Sequence, residues 1–506
     1  MTSVPPAAVA ETHSATVFFL GDRAYKVKKP VDLGFLDFRS RESREAACHR
    51  EVELNRRIAP DVYLGVADVH GPDGDLCDHL VVMRRMPVEL RLSALVRSGA
   101  PVGEHLRHIA RLVATLHARS PRSAAADEAA GAAATHRRWS ANTDALISQA
   151  GQTFDETAVA LVHGLAARYL DGRGPLFDRR VLDGMAGDGH GDLLADDIFC
   201  LPDGPRILDC LDFDEALRIG DGLADAAFLA MDLEHLGRPD LGEDFLAAYR
   251  EHRGDAWPPS LAHHQVAYRA QVRAKVCAIR ADQGDHAAAA EARQLLDLAL
   301  AHLEAGRVRL VLVGGLPGTG KSTVAAAVAE ELPATLLRSD EVRQEGATDE
   351  ARPQGPAPYR EGQYAPDAVA AVYRTVLERA EIALGLGETV VLDASWSTSR
   401  WREEAHAVAA RTCSDLVELR CTAPPAVAAE RMRHRASLGA DPSEATPAIA
   451  AAMAADADPW PEAHLVDTTG AVGPTIAAAM AWVRHRPPQS DGSVGGTRHS
   501  RTVPKT

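Results

Sequence analysis

Residues 307–323 read RVRLVLVGGLPGTGKST, and this stretch decides the fold of the second half of the chain. Its apolar run predicts a buried strand, its glycines predict a loop, and KST begins a segment with helical spacing. The loop fits the pattern G-x-x-x-x-G-K-S, in which backbone amides and a helix N-terminus face a phosphate. The predicted nucleotide contacts are Gly315, Gly318, Gly320, Lys321, Ser322 and Thr323.

Two side chains of this loop point to its cofactors. We expect Lys321 to reach the β- and γ-phosphates of ATP, and the hydroxyl of Ser322 to bind Mg²⁺. ATP and Mg²⁺ are therefore the predicted cofactors of this part of the chain.

Strand-like and helix-like segments alternate beyond the loop. The strand-like segments are ATLLRSD, ETVVLDASW, DLVELRCTA and AHLVDTT. This alternation predicts an α/β P-loop NTPase domain with a parallel sheet, and ligands bind at the carboxyl ends of such strands. We expect the domain to span residues 306–485, followed by a disordered tail at 486–506 that has almost no apolar residues.

Two aspartates follow strands of this predicted sheet. Asp340 follows TLLRS and is positioned to orient or deprotonate an acceptor hydroxyl; the alternative is a cap for the next helix. Asp393 ends TVVLD and is a candidate partner of the metal or a substrate contact, with structural capping as its alternative. The Pro/Gly-rich loop between residues 343 and 366 has the length of a functional lid.

Arginines cluster in two later segments of the domain. Arg431 and Arg435 are four residues apart in ERMRHRA, next to Arg433 and His434. Guanidinium groups neutralise charge on a transferred phosphoryl group, whereas a solvated basic face is the alternative. The same two readings apply to Arg400 and Arg402.

Residues 307–484 resemble small P-loop kinases of the gluconate kinase, chloramphenicol phosphotransferase and zeta-toxin type. The resemblance rests on the glycine loop, on Asp340 and on the ERMRHRA arginines. It implies phosphorylation of an acceptor by ATP, and these families act on quite different acceptors.

The first 300 residues have a different pattern. ATVFFLGDRAYKVKKP predicts a hairpin that turns at Gly21 and Asp22, and SRESREAACHREVELNRRI predicts a helix that ends before Pro60. Helical spacing then dominates, interrupted by the segments GDGHGDLLADDIFC and RILDCLDFD. The order predicts a two-lobed α+β domain over residues 1–305. We interpret the low-complexity segment SAAADEAAGAAATHRR as a variable excursion within it.

A kinase-like fold needs a strand lysine paired with a helix glutamate. Lys26 and Glu51 are the candidates for ATP binding, and Lys28 and Glu53 are rivals. The fold also needs a catalytic-loop aspartate followed by metal ligands. Asp192 is the candidate base or hydroxyl-orienting group, and His190 would position its loop.

The metal ligands of this domain are predicted from the same spacing. Asp197 follows Asp192 in the loop, and Asp212 lies on the next strand-like segment. Asp209 and Asp214 are near alternatives to Asp212. A degenerate kinase fold, in which these carboxylates are structural, is the competing interpretation.

These residues resemble the aminoglycoside phosphotransferase and choline kinase superfamily, whose loop reads H-G-D-x-x-x-x-N. Asp197 replaces the asparagine, and no glycine-rich phosphate loop is present; THSATVFF, with Ser14, must serve. The whole chain looks like fusions described as bifunctional aminoglycoside phosphotransferase-like/ATP-binding proteins. That resemblance implies two kinase-type domains in tandem and no particular acceptor.

The composition of the chain limits the classes of binding partner that we expect. The chain has 506 residues, a net charge of −16 and 46% hydrophobic residues, which indicates a multidomain globular protein and disfavours broad nucleic-acid binding. We expect a small-molecule phosphate acceptor, no membrane association and a cytoplasmic location, because neither a secretion signal nor a long apolar run is evident. The oligomeric state is not indicated.

Other functions and contacts stay open at this level. A polynucleotide 5′-kinase or a nucleotide-binding regulator with an inactive first domain would use the same motifs. Four aromatic residues are candidates for stacking on a substrate or for ordinary packing: Trp139, Trp396, Tyr359 and Tyr364.

Overall fold

The computed structural model describes residues 7–12, 14–32, 37–149, 152–345, 360–438 and 446–484. Tyr359, most of the predicted lid loop and the predicted tail lie outside the described residues. The chain forms two compact units. The first contains Met1–Leu310 with Leu377–Val390 and Glu404–Asp415, and the second contains Val311–Val376, Val391–Glu403 and Leu416–Thr506.

The first unit begins with an antiparallel sheet of order β1-β2-β3-β5-β4. The predicted hairpin forms as expected, with Leu20 opposite Arg23. Ser40 caps the helix that follows by accepting a hydrogen bond from the Ser43 amide. The bounds are β1 Ala8–Glu11, β2 Ala15–Leu20, β3 Arg23–Lys28, α1 Arg41–Asn55, β4 Tyr63–His70 and β5 Leu76–Arg84.

A mainly helical lobe follows. Its short strands pair as β6 with β9 and β7 with β8, and they carry the loop that contains His190. The bounds are α2 Leu92–Arg97, α3 Gly103–Arg119, α4 Ala124–Ala130, α5 Ala132–Ile147, α6 Glu156–Gly172, α7 Gly174–Leu182, β6 Ala186–Asp188, β7 Ile198–Leu201, β8 Gly204–Ile207, β9 Ile219–Asp221, α8 Gly222–His235, α9 Pro239–Arg253, α10 Pro259–Asp282 and α11 His286–Ala305.

The low-complexity segment is not an excursion, and that interpretation was wrong. It forms α4 and the start of α5, and Ala126 and Ala130 are buried. Trp139 on α5 is 1% exposed and packs against His264 and Tyr268, so it belongs to the core. Alanine repeats lack a strong apolar period, but their small side chains allow helices to approach closely.

The second sheet has the order β11-β12-β10-β13-β14, and β13 pairs with β14 in parallel. Val311, Val391 and Leu419 are fully buried in its core. The bounds are β10 Arg309–Gly314, α12 Lys321–Glu331, β11 Thr335–Arg338, α13 Ser339–Glu345, α14 Pro366–Gly385, β12 Val390–Asp393, α15 Ser399–Arg411, β13 Asp415–Thr422, α16 Pro425–Leu438, α17 Pro447–Asp456, β14 His464–Asp467 and α18 Val472–Arg484. Within the described ranges, no helix is both long and apolar enough to cross a bilayer.

Candidate active sites

The glycine loop joins β10 to α12, and its backbone requires glycine. Gly315, Gly318 and Gly320 have φ angles of 140°, 82° and 82°, in the region that side chains disfavour. A Cβ atom on Gly318 would lie 2.5 Å from the carbonyl oxygen of Ala428. The backbone of the loop therefore packs directly against Ala428, and α12 begins immediately after it at Lys321.

Gly318→Ala tests this geometry. We expect nucleotide affinity at this loop to fall by about 10-fold or more, because both the positive φ and the contact with Ala428 oppose a methyl group. The measurement is calorimetric titration with a non-hydrolysable ATP analogue. Gly473→Ala is the control, since Gly473 lies outside the glycine-loop pocket and no described atom lies within 4 Å of a Cβ atom there. Equal affinities for the two variants would contradict the prediction.

Ser322 and Asp393 meet beside this loop. Asp393 is 5% exposed and forms a hydrogen bond with the Ser322 side chain. Burial raises the pKa of Asp393, and the charge of Lys321 opposes that shift. Its Oδ1 atom is buried and has no hydrogen-bond partner among the described residues. A buried acceptor without a donor, next to the hydroxyl of Ser322, suits a cation ligand.

Asp340 lies at the same edge of the sheet. It is the second residue of α13, so it is not the cap of that helix, and it forms an ion pair with Arg343. Because β11 and β12 are neighbours, Asp340 and Asp393 follow adjacent strands. The side chain of Asp340 is 24% exposed, so it is not closed off by its pairing with Arg343.

The predicted arginines separate into two groups. Arg431 donates to the Gly318 carbonyl at 3.5 Å and to the Thr468 carbonyl at 2.6 Å. Arg435 lines the same pocket as the glycine loop. Arg402 instead is buried and donates to the carbonyls of Trp396 and Pro459.

The remaining residues of this region have packing contacts. Arg400 lies over the ring of Trp401, outside the glycine-loop pocket. Trp396 is fully buried with a φ of 50°, and its ring packs against Tyr373. Arg343 lies over the Tyr364 ring, 5.3 Å from its centroid. Of the candidate aromatic residues, Trp396 is therefore a core residue.

In the first unit, Lys26 pairs with Glu51 as expected. The Lys26 Nζ atom lies 2.9 Å from Glu51 Oε1 and 2.8 Å from Asp209 Oδ1. Glu51 is 1% exposed, whereas its rival Glu53 is exposed and pairs with Arg50. The other rival, Lys28, contacts the same Glu51 from the other side.

Two catalytic-loop candidates, Asp192 and Asp197, are half-buried in an acidic environment. Burial raises the pKa of Asp192, and the charge of Arg273 opposes the shift. Burial, together with the charges of Asp209 and Asp192, raises the pKa of Asp197 well above its ordinary value. The carboxylates of Asp192, Asp197 and Asp209 therefore lie close enough to repel one another. A divalent cation bound between them would reduce this repulsion.

Asp209 and Asp212 have different surroundings. Lys26 lowers the pKa of Asp209, whose backbone has a left-handed φ of 62°. A non-glycine residue held there is strained, and such strain concentrates at functional sites. Asp212 pairs with Lys28 at 2.8 Å. Asp209 thus shares the space of Asp192 and Asp197, although the spacing had favoured Asp212.

Asp225 positions the loop, and sequence reasoning missed it. Its carboxylate accepts hydrogen bonds from the amides of His190 and Gly191 at 2.7 and 2.8 Å, and from His117 Nε2 at 2.9 Å. Tyr249 contacts the other ring nitrogen of His117 at 2.8 Å. The sequence does contain a signal for Asp225, because this aspartate lies inside the apolar run LADAAFLAM. A charged side chain in such a run needs a buried partner.

Asp225→Ala is expected to lower the free energy of unfolding by about 3 kcal/mol or more, because two amides and an imidazole lose their acceptor. Urea denaturation measures it, with the exposed Asp244→Ala as the control. Although burial opposes it, the His117 hydrogen bond lowers the pKa of Asp225. This stabilisation is therefore fully present at neutral pH and is lost progressively as pH falls from the unfolded-state pKa toward the lower folded-state pKa. The free energies of unfolding of wild type and variant should begin to converge below about pH 4. An unchanged stability would contradict this role.

Comparisons with known proteins identify families for both parts of the chain. Residues 7–263 match the phosphotransferase enzyme family, a span of half the chain. The chain belongs to the phosphotransferase enzyme family. Residues 310–460 of this phosphotransferase match a family described as an AAA domain. Uncharacterized proteins of Mycobacterium tuberculosis and Mycobacterium bovis are 43% identical to it over 470 residues, which cover 93% of this chain and 94% of theirs.

The phosphotransferase is also similar to solved structures. A choline/ethanolamine kinase family protein from Mesorhizobium loti is 15% identical with a TM-score of 0.36, over 59% of this chain and 92% of that one. A gluconokinase from Sinorhizobium meliloti is 18% identical with a TM-score of 0.26, over 35% of this chain and 91% of that one. The family matches confirm the predicted fusion of an aminoglycoside phosphotransferase-like domain and a P-loop kinase-like domain.

Proposed function

We propose that the chain is an ATP- and Mg²⁺-dependent phosphotransferase with two tandem ATP sites, each acting on a hydroxyl group of a small molecule. The proposal assigns residues 1–305 to the first domain and 306–485 to the second. One observation carries it: in each domain a lysine suited to phosphate lies beside carboxylates suited to Mg²⁺. These are Lys26 with Asp209, and Lys321 with Asp393.

In the first site, Asp192 acts on the acceptor. Its carboxylate accepts the proton of the acceptor hydroxyl as the oxygen bonds to the γ-phosphorus and the bond from phosphorus to the bridging oxygen of ADP breaks. Lys26 binds the α- and β-phosphates, and Glu51 holds Lys26. His190, fully buried, donates from Nε2 to the Leu208 carbonyl and so fixes the loop of Asp192.

The donor sets fit Mg²⁺, which binds through one or two carboxylates and completes its shell with waters and phosphate oxygens. In the described part of the chain, no group of three or more His, Cys, Asp or Glu side chains could hold a metal by itself. Asp197 and Asp209 would hold it in the first site. Asp209 and Asp212 are each paired with a lysine, and we favour Asp209 because its side chain is 55% exposed whereas that of Asp212 is 15% exposed. When bound, Mg²⁺ neutralises charge on the β- and γ-phosphate oxygens.

In the second site, the glycine-loop amides and Lys321 bind the phosphates of ATP. Ser322 and Asp393 would hold Mg²⁺, and Asp340 orients or deprotonates the acceptor hydroxyl. Arg431 fixes the glycine loop through the Gly318 carbonyl, while Arg435 faces the pocket. The charge on the transferred group is thereby balanced by Lys321 and the arginines.

The decisive experiment is transfer of labelled γ-phosphate across sugars, amino sugars, aminoglycosides, choline, nucleosides and nucleic-acid 5′-ends. Wild type is compared with Asp192→Asn and Lys321→Ala. A product lost only with Asp192→Asn assigns its chemistry to the first site, and one lost only with Lys321→Ala assigns it to the second. Labelled 5′-ends alone would indicate a polynucleotide kinase. ATP binding without any product would contradict the proposal and favour a nucleotide-binding regulator.

A further inference from the structure

The first site contains a second lysine–carboxylate pair that the proposed mechanism leaves without a role. Lys26 and Lys28 are two residues apart on β3, so their side chains share one face of the strand. Lys28 Nζ lies 2.7 Å from Glu51 Oε2 and 2.8 Å from Asp212 Oδ2. Each lysine thus contacts its own oxygen of Glu51 and its own aspartate.

The two pairs differ in exposure. The side chain of Asp209 is 55% exposed, whereas those of Asp212 and Lys28 are 15% and 4% exposed. The Phe38 ring covers Lys28, with its centroid 5.4 Å from Nζ, and Arg44 donates to the Phe38 carbonyl. The Lys26–Asp209 pair therefore reaches solvent through Asp209, whereas the Lys28–Asp212 pair is mostly buried.

The difference in exposure between the two pairs matters when a nucleotide binds. Phosphate groups attract Lys26 while Glu51 still holds it, so the charge of Lys26 is then shared between Glu51 and the phosphates. If Lys26 were the only partner of Glu51, a carboxylate that is 1% exposed would lose part of its compensating charge. An uncompensated buried charge is strongly destabilising.

We propose that Lys28 and Asp212 are positioning residues that keep Glu51, and with it α1, in place while Lys26 and Asp209 bind Mg²⁺ and ATP. The proposal rests on the function proposed for the first site. Lys28 compensates Glu51 in both the free and the bound state, and Asp212 fixes Lys28 from the opposite side.

A second contact explains why the position of α1 matters to the loop that carries Asp209. Asn55, one turn after Glu51, donates to the Glu51 carbonyl and accepts a hydrogen bond from the Cys210 amide at 2.9 Å. The amide of Asp209 donates to the Tyr63 hydroxyl at 3.1 Å. A shift of α1 would therefore move the backbone next to Asp209 and displace its carboxylate.

The test uses the full chain in a Lys321→Ala background, so that only the first site binds nucleotide. Calorimetric titration with the non-hydrolysable analogue AMP-PNP at varied Mg²⁺ gives the affinity and the Mg²⁺ requirement. Hydrogen exchange reports the protection of α1 with and without AMP-PNP. Arg23→Met is the matched control, because Arg23 begins the same strand and pairs with the exposed Asp22.

For Lys28→Met we expect AMP-PNP affinity to fall by about 10-fold or more, with α1 amides exchanging faster in the bound form than in wild type. Arg23→Met should stay within about twofold of the background protein. A structural role alone would speed exchange equally in free and bound protein and leave the affinity unchanged. That result would overturn the proposal.

The aspartates keep the proposal testable if Lys28→Met does not fold. Asp209→Asn should raise the Mg²⁺ concentration for half-saturation by about 10-fold or more, and Asp212→Asn should change it by less than about threefold. An equal or larger increase for Asp212→Asn would make Asp212 a metal ligand and overturn the proposal. Absence of AMP-PNP binding in the Lys321→Ala background itself would contradict the function proposed for the first site.

Discussion

Lys321→Ala should reduce the number of nucleotides bound per chain from two to one. Lys321 is the first residue of α12 and directly follows the loop whose glycine amides would surround the phosphates. In the variant, the β- and γ-phosphates keep their contacts with the loop amides but lose the positive charge of Lys321. Nucleotide binding at this site should therefore weaken by about 100-fold or more. Calorimetric titration of the full chain with AMP-PNP and Mg²⁺ measures both stoichiometry and affinity.

Two further variants make the Lys321 result specific. Arg374→Ala removes an exposed cation from α14 of the same domain and should keep a stoichiometry of two. Lys321→Arg retains the charge with a larger, planar group and should recover only part of the affinity. A stoichiometry that stays at two in Lys321→Ala would show that the glycine loop is not the nucleotide site of this domain.

The sequence predicted the second domain well because its signals are local. A buried strand, a glycine loop with a fixed spacing and a helix start are adjacent in the chain, and glycine is required by the φ angles observed at Gly315, Gly318 and Gly320. Arg402 shows the limit of that reasoning. Its proximity to Arg400 suggested phosphate binding, but burial against the Trp396 carbonyl depends on tertiary packing.

The first site was predicted in outline, and its details depend on contacts distant in sequence. Lys26 and Lys28 are equivalent by strand period, and only Phe38 and Asp212 distinguish the closed lysine from the open one. The spacing in the sequence favoured Asp212 over Asp209 as a metal ligand. The left-handed backbone of Asp209 and its contact with Lys26 separate them, and neither can be seen in the sequence.

Asp192→Asn should lower the rate of phosphoryl transfer by the first site by about 100- to 10,000-fold, because an amide cannot accept the proton of the acceptor hydroxyl. Nucleotide affinity should change by less than about threefold, since Lys26 and Glu51 are untouched. The comparison uses initial rates for any product that survives Lys321→Ala. Asp244→Asn, on the exposed side of α9, is the matched control.

The pH dependence separates a proton acceptor from a structural carboxylate. Burial raises the pKa of Asp192, so protonation removes the base at a higher pH than for an exposed aspartate. The wild-type rate should therefore fall as pH drops toward that raised value, while the small residual rate of Asp192→Asn should lack this step. If the variant kept both the wild-type rate and the same acidic limb, Asp192 would not be the base, and proton transfer would have to occur elsewhere in the site.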